Sequence, residues 1–270
     1  MRRMVMCGLL SVMLLACQRE APPAVPSADP APAVDVAPVP EGPGHLEDVV
    51  EMDARFIVGI SYPPEANKYP GLAAELHRYA QGARDELMDA VRGAELPAGT
   101  MYDLSLSFTT IADTPDLLAI AADGSSYTGG AHDAPLIERF VWLVAEDRLL
   151  TADTLLAQPD SWQAIAAYVR EQLHAALSQR VDADELEPDE RSRLMRSAGK
   201  MIDEGSGPEV SNYQQFEPVV GAGGKLVALR FVFPPYQVGP YSDGVQTVEV
   251  PASVLLPHVA ERYRALFVQG

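Results

Sequence analysis

The sequence predicts an α+β fold: two small mixed units, each with a mainly antiparallel sheet packed by helices. Three observations predict it. Segments with strand alternation are interleaved with helix-period segments, but without the strict strand–helix alternation of a parallel α/β sheet. A proline- and alanine-rich stretch, residues 18–44, separates the first 17 residues from everything that can fold. The chain's 270 residues, 47% of them hydrophobic, suffice for one large domain or two small ones.

The elements follow in chain order. Residues 1–17 read MRRMVMCGLLSVMLLAC. Arg2 and Arg3 are followed by a 13-residue apolar run, residues 4–16, too short for a bilayer span, which needs about 20 residues. This is the anatomy of a secretory signal peptide. The run Leu14-Leu15-Ala16-Cys17 is similar to the bacterial lipobox, which implies acylation of Cys17 and cleavage just before it. Gln18 follows in place of the aspartate that retains such proteins on the inner membrane, so outer-membrane anchoring is expected in a Gram-negative cell. Residues 18–44 hold eight of the 23 prolines and read as an extended polyproline II tether.

Beyond the tether, residues 55–61 (RFIVGIS) form a strand candidate ending at Tyr62-Pro63-Pro64. Residues 68–92 read as a helix, with Pro70 in its first turn. Its apolar stripe is Leu72, Leu76, Tyr79, Ala83, Leu87 and Val91. Tyr102, Leu104, Leu106 and Phe108 alternate with polar residues, as a half-buried strand requires. Residues 117–122 and 136–145 are two more strands. Residues 45–147 make the first expected unit and residues 148–270 the second. In the second, Trp162, Ile165, Val169, Leu173 and Leu177 mark a helix, with Asp160 and Gln163 resembling a capping box. Residues 188–202 predict a more charged helix. Gly221-Ala222-Gly223-Gly224 is a turn, residues 226–233 (LVALRFVF) a central strand, and residues 245–250 another strand. Residues 252–267 read as a closing helix, with Pro257 as the residue that must sit in its first turn or break it.

Composition excludes several functions. Twenty Lys+Arg stand against 38 Asp+Glu, for a net charge of −18, the wrong sign for a nucleic-acid partner. Both cysteines, Cys7 and Cys17, belong to the signal region, so cysteine nucleophiles and cysteine zinc sites are excluded from the body. The five histidines (45, 77, 132, 174 and 258) show no metal-ligand spacing, and neither a nucleophile elbow nor a phosphate loop occurs. Neither cofactor nor metal is expected. A hydrolase triad of His132, Asp133 and a serine can be written on paper, but nothing in the sequence selects it.

The most distinctive segment is Ser125-Ser126-Tyr127-Thr128-Gly129-Gly130-Ala131-His132. Paired glycines permit positive φ or close backbone approach, and Tyr127 and His132 carry hydrogen-bonding tips. A tight turn and a binding loop both fit it. Tyr236 and Tyr241, in the run Pro235-Tyr236-Gln237-Val238-Gly239-Pro240-Tyr241, fit either a hairpin corner or a binding rim. The candidate binding residues are therefore Tyr127, Gly129, Gly130, His132, Tyr236 and Tyr241. What decides between the readings is whether these side chains converge.

These same segments carry a resemblance. The Tyr-Thr-Gly-Gly-Ala-His run, Val210-Ser211-Asn212-Tyr213-Gln214-Gln215-Phe216, the Pro-Tyr run at 235–241 and Thr247-Val248-Glu249-Val250-Pro251 resemble blocks of a domain pair. That pair occurs in RsiV-like anti-sigma factors and beside PdaC-type peptidoglycan deacetylase domains. The resemblance spans residues 48–268. It implies a PdaC-like first unit, an RsiV-like second unit and an extracytoplasmic role. RsiV-like proteins bind lysozyme there. The sequence shows neither a sigma-binding segment nor deacetylase metal motifs, so those two activities are not implied. The expectation is a non-catalytic envelope lipoprotein, held to the membrane by its lipid. Its ligand would be a cationic protein such as lysozyme, or peptidoglycan. A peptidoglycan-modifying enzyme or its accessory factor, and a structural assembly lipoprotein, are the alternatives.

Overall fold

The computed structural model describes residues 45–93, 101–183 and 186–269, all within one compact unit. The signal region, Cys17 and the tether lie outside the described residues.

A six-stranded sheet comes first. Its strands are β1 (Val49–Met52), β2 (Phe56–Ser61), β3 (Tyr102–Asp113), β4 (Leu117–Tyr127), β5 (Ala134–Leu143) and β6 (Arg148–Leu149), paired in chain order. All neighbours are antiparallel except β2 and β3, which are parallel. Parallel neighbours need a crossover, and α1 (Pro70–Gly93) is that crossover. Leu72, Leu76, Leu87 and Val91 on its inner stripe pack against Val58, Leu104, Leu106, Phe108, Ile120 and Phe140.

The unbroken buried run at the start of β4 has a geometric cause. Leu118, Ile120 and Ala122 face α1, whereas Leu117 and Ala119 face a second core. A strand covered on both faces has no need of alternation. The second core is built around a three-stranded antiparallel sheet: β7 (Phe216–Val220), β8 (Leu226–Phe233) and β9 (Gln246–Pro251), with β8 in the middle. The helices α3 (Trp162–Ala183) and α4 (Pro188–Gly205) pack against each other in this part of the chain. Trp162 stacks on Tyr213 at 4.8 Å, and the hydroxyl of buried Tyr213 donates to the Ser206 carbonyl at 2.9 Å. Pro218 sits in β7, an edge strand, where the missing N–H costs no ladder bond on its open side. The second core therefore takes Leu117, Ala119, Val141 and Leu143 from the first sheet.

Two expectations need correction. The closing helix does not form. Only α5 (Ala252–Leu255) is helical before Pro257; Val259 then bridges to Leu156, and Glu261–Leu266 is a 3-10 turn. Proline lacks the N–H and clashes with the preceding turn, so the helix stops there. Asp160 lies inside the 3-10 turn Pro159–Ser161 and not at a helix cap. The strands β1 and β7 and the short helix α2 (Ala152–Leu155) were not anticipated, because each is short or interrupted by proline.

Candidate functional site

The β4–β5 hairpin ends in the distinctive glycine segment. Gly129 and Gly130 adopt φ of 95° and 116°, which a side chain would strain. That backbone carries His132 off the end of the sheet. The His132 Nδ1 lies 3.1 Å from the Asp133 carbonyl and its Nε2 lies 2.8 Å from the Tyr236 hydroxyl. A carbonyl only accepts, so Nδ1–H donates to it; in the neutral ring Nε2 then accepts from the tyrosine.

Tyr236 comes from a loop 104 residues away. Its backbone is left-handed, with φ of 74°, and the residue is 54% exposed. A tyrosine in that region costs roughly 1–2 kcal/mol, so the surroundings must hold it there. They do so from beneath. The Tyr236 N–H donates to the Gly239 carbonyl at 3.0 Å. The Gln237 amide donates to the carbonyls of Gly205 and Asn212, at 3.0 and 2.9 Å. Pro240 leads into the 3-10 turn Tyr241–Asp243, and Arg180 of α3 pins Asp243 at 2.8 Å.

His132 stacks almost flat on Tyr241, with ring centroids 4.1 Å apart and planes 16° apart. Tyr236 and Tyr241 are 5.7 Å apart. Three of the four candidate side chains thus converge into one aromatic cluster built from both sheets' loops. Tyr127 does not join it: its hydroxyl donates back to the Gly130 carbonyl at 3.4 Å and braces the hairpin. The triad written from His132 and Asp133 does not assemble. Both His132 ring nitrogens are engaged elsewhere, and Ser125 Oγ donates to the Asp133 carboxylate at 3.4 Å. Asn212 pins its own loop through the Gly207 carbonyl, and Phe216 is core.

The surroundings are acidic. Burial, and then the neighbouring Asp133, push the Asp103 carboxyl above its ordinary value. Farther along β5, burial does the same for Glu138. The sign of the consequence follows from linkage. A carboxyl whose folded pKa is raised binds more protons folded than unfolded, between the ordinary value and the raised one. Its contribution therefore falls as pH rises through that window, and above it the ionised form is a constant cost. Glu138→Gln is expected to match the parent in denaturant unfolding at pH 4 and to exceed it in stability at pH 7. An equal difference at both pH values would contradict this.

Sequence reasoning missed the joint that positions the two loops. The Arg139 side chain, 7% exposed, donates through Nε to Glu217 at 2.7 Å, and Arg230 approaches the other Glu217 oxygen at 3.2 Å. The signal was present: an arginine inside an apolar strand segment requires a partner.

Residues 155–253 match the family model of DUF3298, described as a protein of unknown function. That stretch runs from the end of α2 into α5 and contains Tyr236 and Tyr241, but not His132. A crystal structure of a DUF3298 family protein from Pseudomonas aeruginosa PAO1 is similar at TM-score 0.50 and 17% identity, over 85% of this chain and 99% of that one. A member of the DUF3298 family from Bacteroides fragilis NCTC 9343 gives 0.49 and 15%, over 80% of this chain and 93% of that one. At such identity the first likeness bears on the fold alone. No curated protein sequence matches the chain.

Proposed function

We propose that this chain is a non-catalytic, lipid-anchored envelope protein whose folded body binds a cationic protein, with C-type lysozyme as the sharpest candidate. One observation carries the proposal: Tyr236 is held exposed in a costly backbone conformation and is braced by His132 from the other sheet's hairpin. Exposed, pre-organised tyrosines supply contact area at low entropic cost, which is what a binding surface needs. Charge supports the class of partner. Residues 45–150 carry 18 acidic and 7 basic residues, and residues 151–270 carry 16 and 10, so the body is −11 and −6, or −17. A field of that sign steers a basic partner and weakens with salt. The resemblance to RsiV-like proteins supports lysozyme, and the lipobox at Cys17 supports the anchor.

The test is calorimetry of the full chain in mild detergent with C-type lysozyme at low and moderate salt. Saturable binding is expected, weaker at higher salt, and Tyr236→Ala should reduce it at least tenfold, or about 1.4 kcal/mol. Cys17→Ala should move the chain from the detergent phase to the aqueous phase. No saturable binding at either salt would end the lysozyme reading.

A further inference from the structure

A groove of about 440 Å³ runs between α1 and β5 and is bordered by Leu149, Leu150, Thr151 and Gln214. That volume lies within the range of small-ligand pockets. Its floor is apolar: Tyr79 meets Phe140 edge to face at 5.9 Å, and Leu136 and Leu149 lie beside them. Its walls are acidic. Glu86 comes from α1 and Glu138 from β5; among the described residues neither is in an ion pair, and Glu138 accepts a hydrogen bond from the Gln215 side chain. The two lining cations are already engaged. Arg78 pairs with Glu75, and the Arg139 guanidinium is held by Asp123 and Glu217.

A second observation concerns Gly82. It stands mid-way along a 24-residue helix and lines the groove. A Cβ built there would meet nothing within 4 Å, and its φ is not in the left-handed region. Neither packing nor conformation calls for glycine, which costs about 1 kcal/mol relative to alanine in a helix. What the missing side chain does is leave the groove open between Tyr79 and Glu86.

We propose that this groove is a docking slot for a lysine side chain of a partner protein, with its methylene stem on Tyr79 and Phe140 and its ammonium between Glu86 and Glu138. An apolar floor between carboxylates that no cation neutralises complements that side chain better than a neutral or an anionic one. An aromatic face beside the ammonium adds to the attraction. The slot deepens the cationic-partner reading and rests on it for the identity of the partner, though not for the chemistry of the groove.

The test uses the full chain in mild detergent, labelled at alanine and leucine methyl groups. It is titrated with acetyl-Ala-Lys-Ala-amide and with the same peptide acetylated on the lysine nitrogen. Saturable shifts are expected at Ala83, Leu136 and Leu149 with the first peptide and not with the second. Glu138→Gln should weaken binding at least tenfold. Gly82→Leu, which extends into open space and removes a mid-helix glycine, should melt no lower than the parent and abolish the shifts. Equal shifts with the acetylated peptide, shifts that persist in folded Gly82→Leu, or no saturation would each overturn the slot. Lysozyme binding lost in Tyr236→Ala but untouched by Gly82→Leu would also overturn the slot while leaving the rim reading in place. Saturable lysine binding with no lysozyme binding would retain the slot and end the lysozyme reading.

Discussion

Replacing Glu217 with alanine is expected to lower the unfolding free energy by about 3–5 kcal/mol, because it strands a buried guanidinium. Arg139 is 7% exposed at its side chain and Glu217 10%, and they meet at 2.7 Å. Without Glu217, Arg139 retains the Ala122 and Glu138 carbonyls at 3.2 and 3.0 Å and the half-exposed Asp123 at 2.9 Å. Its Nε–H then faces no acceptor. Arg230 loses less, because it also holds Glu249 at the surface. The double change Arg139→Met with Glu217→Leu should be far milder than Glu217→Ala, since an apolar pair of similar size carries no desolvation cost. Denaturant unfolding of Arg139→Met, Glu217→Leu and the double variant forms the cycle, and a coupling of at least about 2 kcal/mol is expected between contacting residues. A loss under 1 kcal/mol for Glu217→Ala, with additive single changes, would show that the pair is effectively solvated. The joint reaches beyond stability. Arg139 is on the strand that leaves the His132 loop, and Arg230 is on the strand that leads into the Tyr236 loop. The ion pair therefore joins the two strands that carry the halves of the aromatic cluster.

Particular elements explain why the sequence was legible where it was. Residues 226–233 read as a central strand because LVALRFVF is apolar apart from Arg230, and all but exposed Val227 and half-exposed Arg230 are buried. The stripe of α1 was legible because its inner face meets a single sheet, which preserves the helical period. The strand β7 was not, because Glu217 and Pro218 break the apolar pattern; Glu217 is buried only because Arg139 comes from elsewhere, and no local pattern records a partner 78 residues away. Pro257 signalled a break that periodicity alone overrode, and the structure ends the helix before it. The candidate residues were chosen by chemistry, from glycine pairs and aromatics in turns. Their convergence depends on how two sheets share one core, which is a property of tertiary packing. The groove was invisible for the same reason: Gly82 reads as a helix defect until Glu138 and Phe140 are placed opposite it.

Alanine at position 205 tests whether the exposed Tyr236 is held from beneath, because its effect should reach both stability and the cluster. Gly205 ends α4, and a Cβ there would lie 1.8 Å from the Gln237 carbonyl oxygen and 2.6 Å from its carbon. These are backbone atoms, so no side-chain rotation can relieve the clash. The helix end and the loop meet main chain to main chain, and the Gln237 side chain fastens them by donating to the Gly205 and Asn212 carbonyls. Overpacking of this kind costs about 1–3 kcal/mol, and sometimes more where the backbone must move. The loop should lift at Gln237 and take Tyr236, its immediate neighbour, out of the 2.8 Å bond to His132. Gly82→Ala is the matching control: the same atom added in open space on a helix should stabilise by about 1 kcal/mol. Opposite signs from one methyl group are the expected result in denaturant melts. In ring-nitrogen NMR, His132 Nε2 should change in Gly205→Ala and stay unchanged in Gly82→Ala. A Gly205→Ala protein that unfolds at the parent midpoint with an unaltered His132 signal would mean that the loop is held by its own turn, and that Tyr236 needs no support from α4.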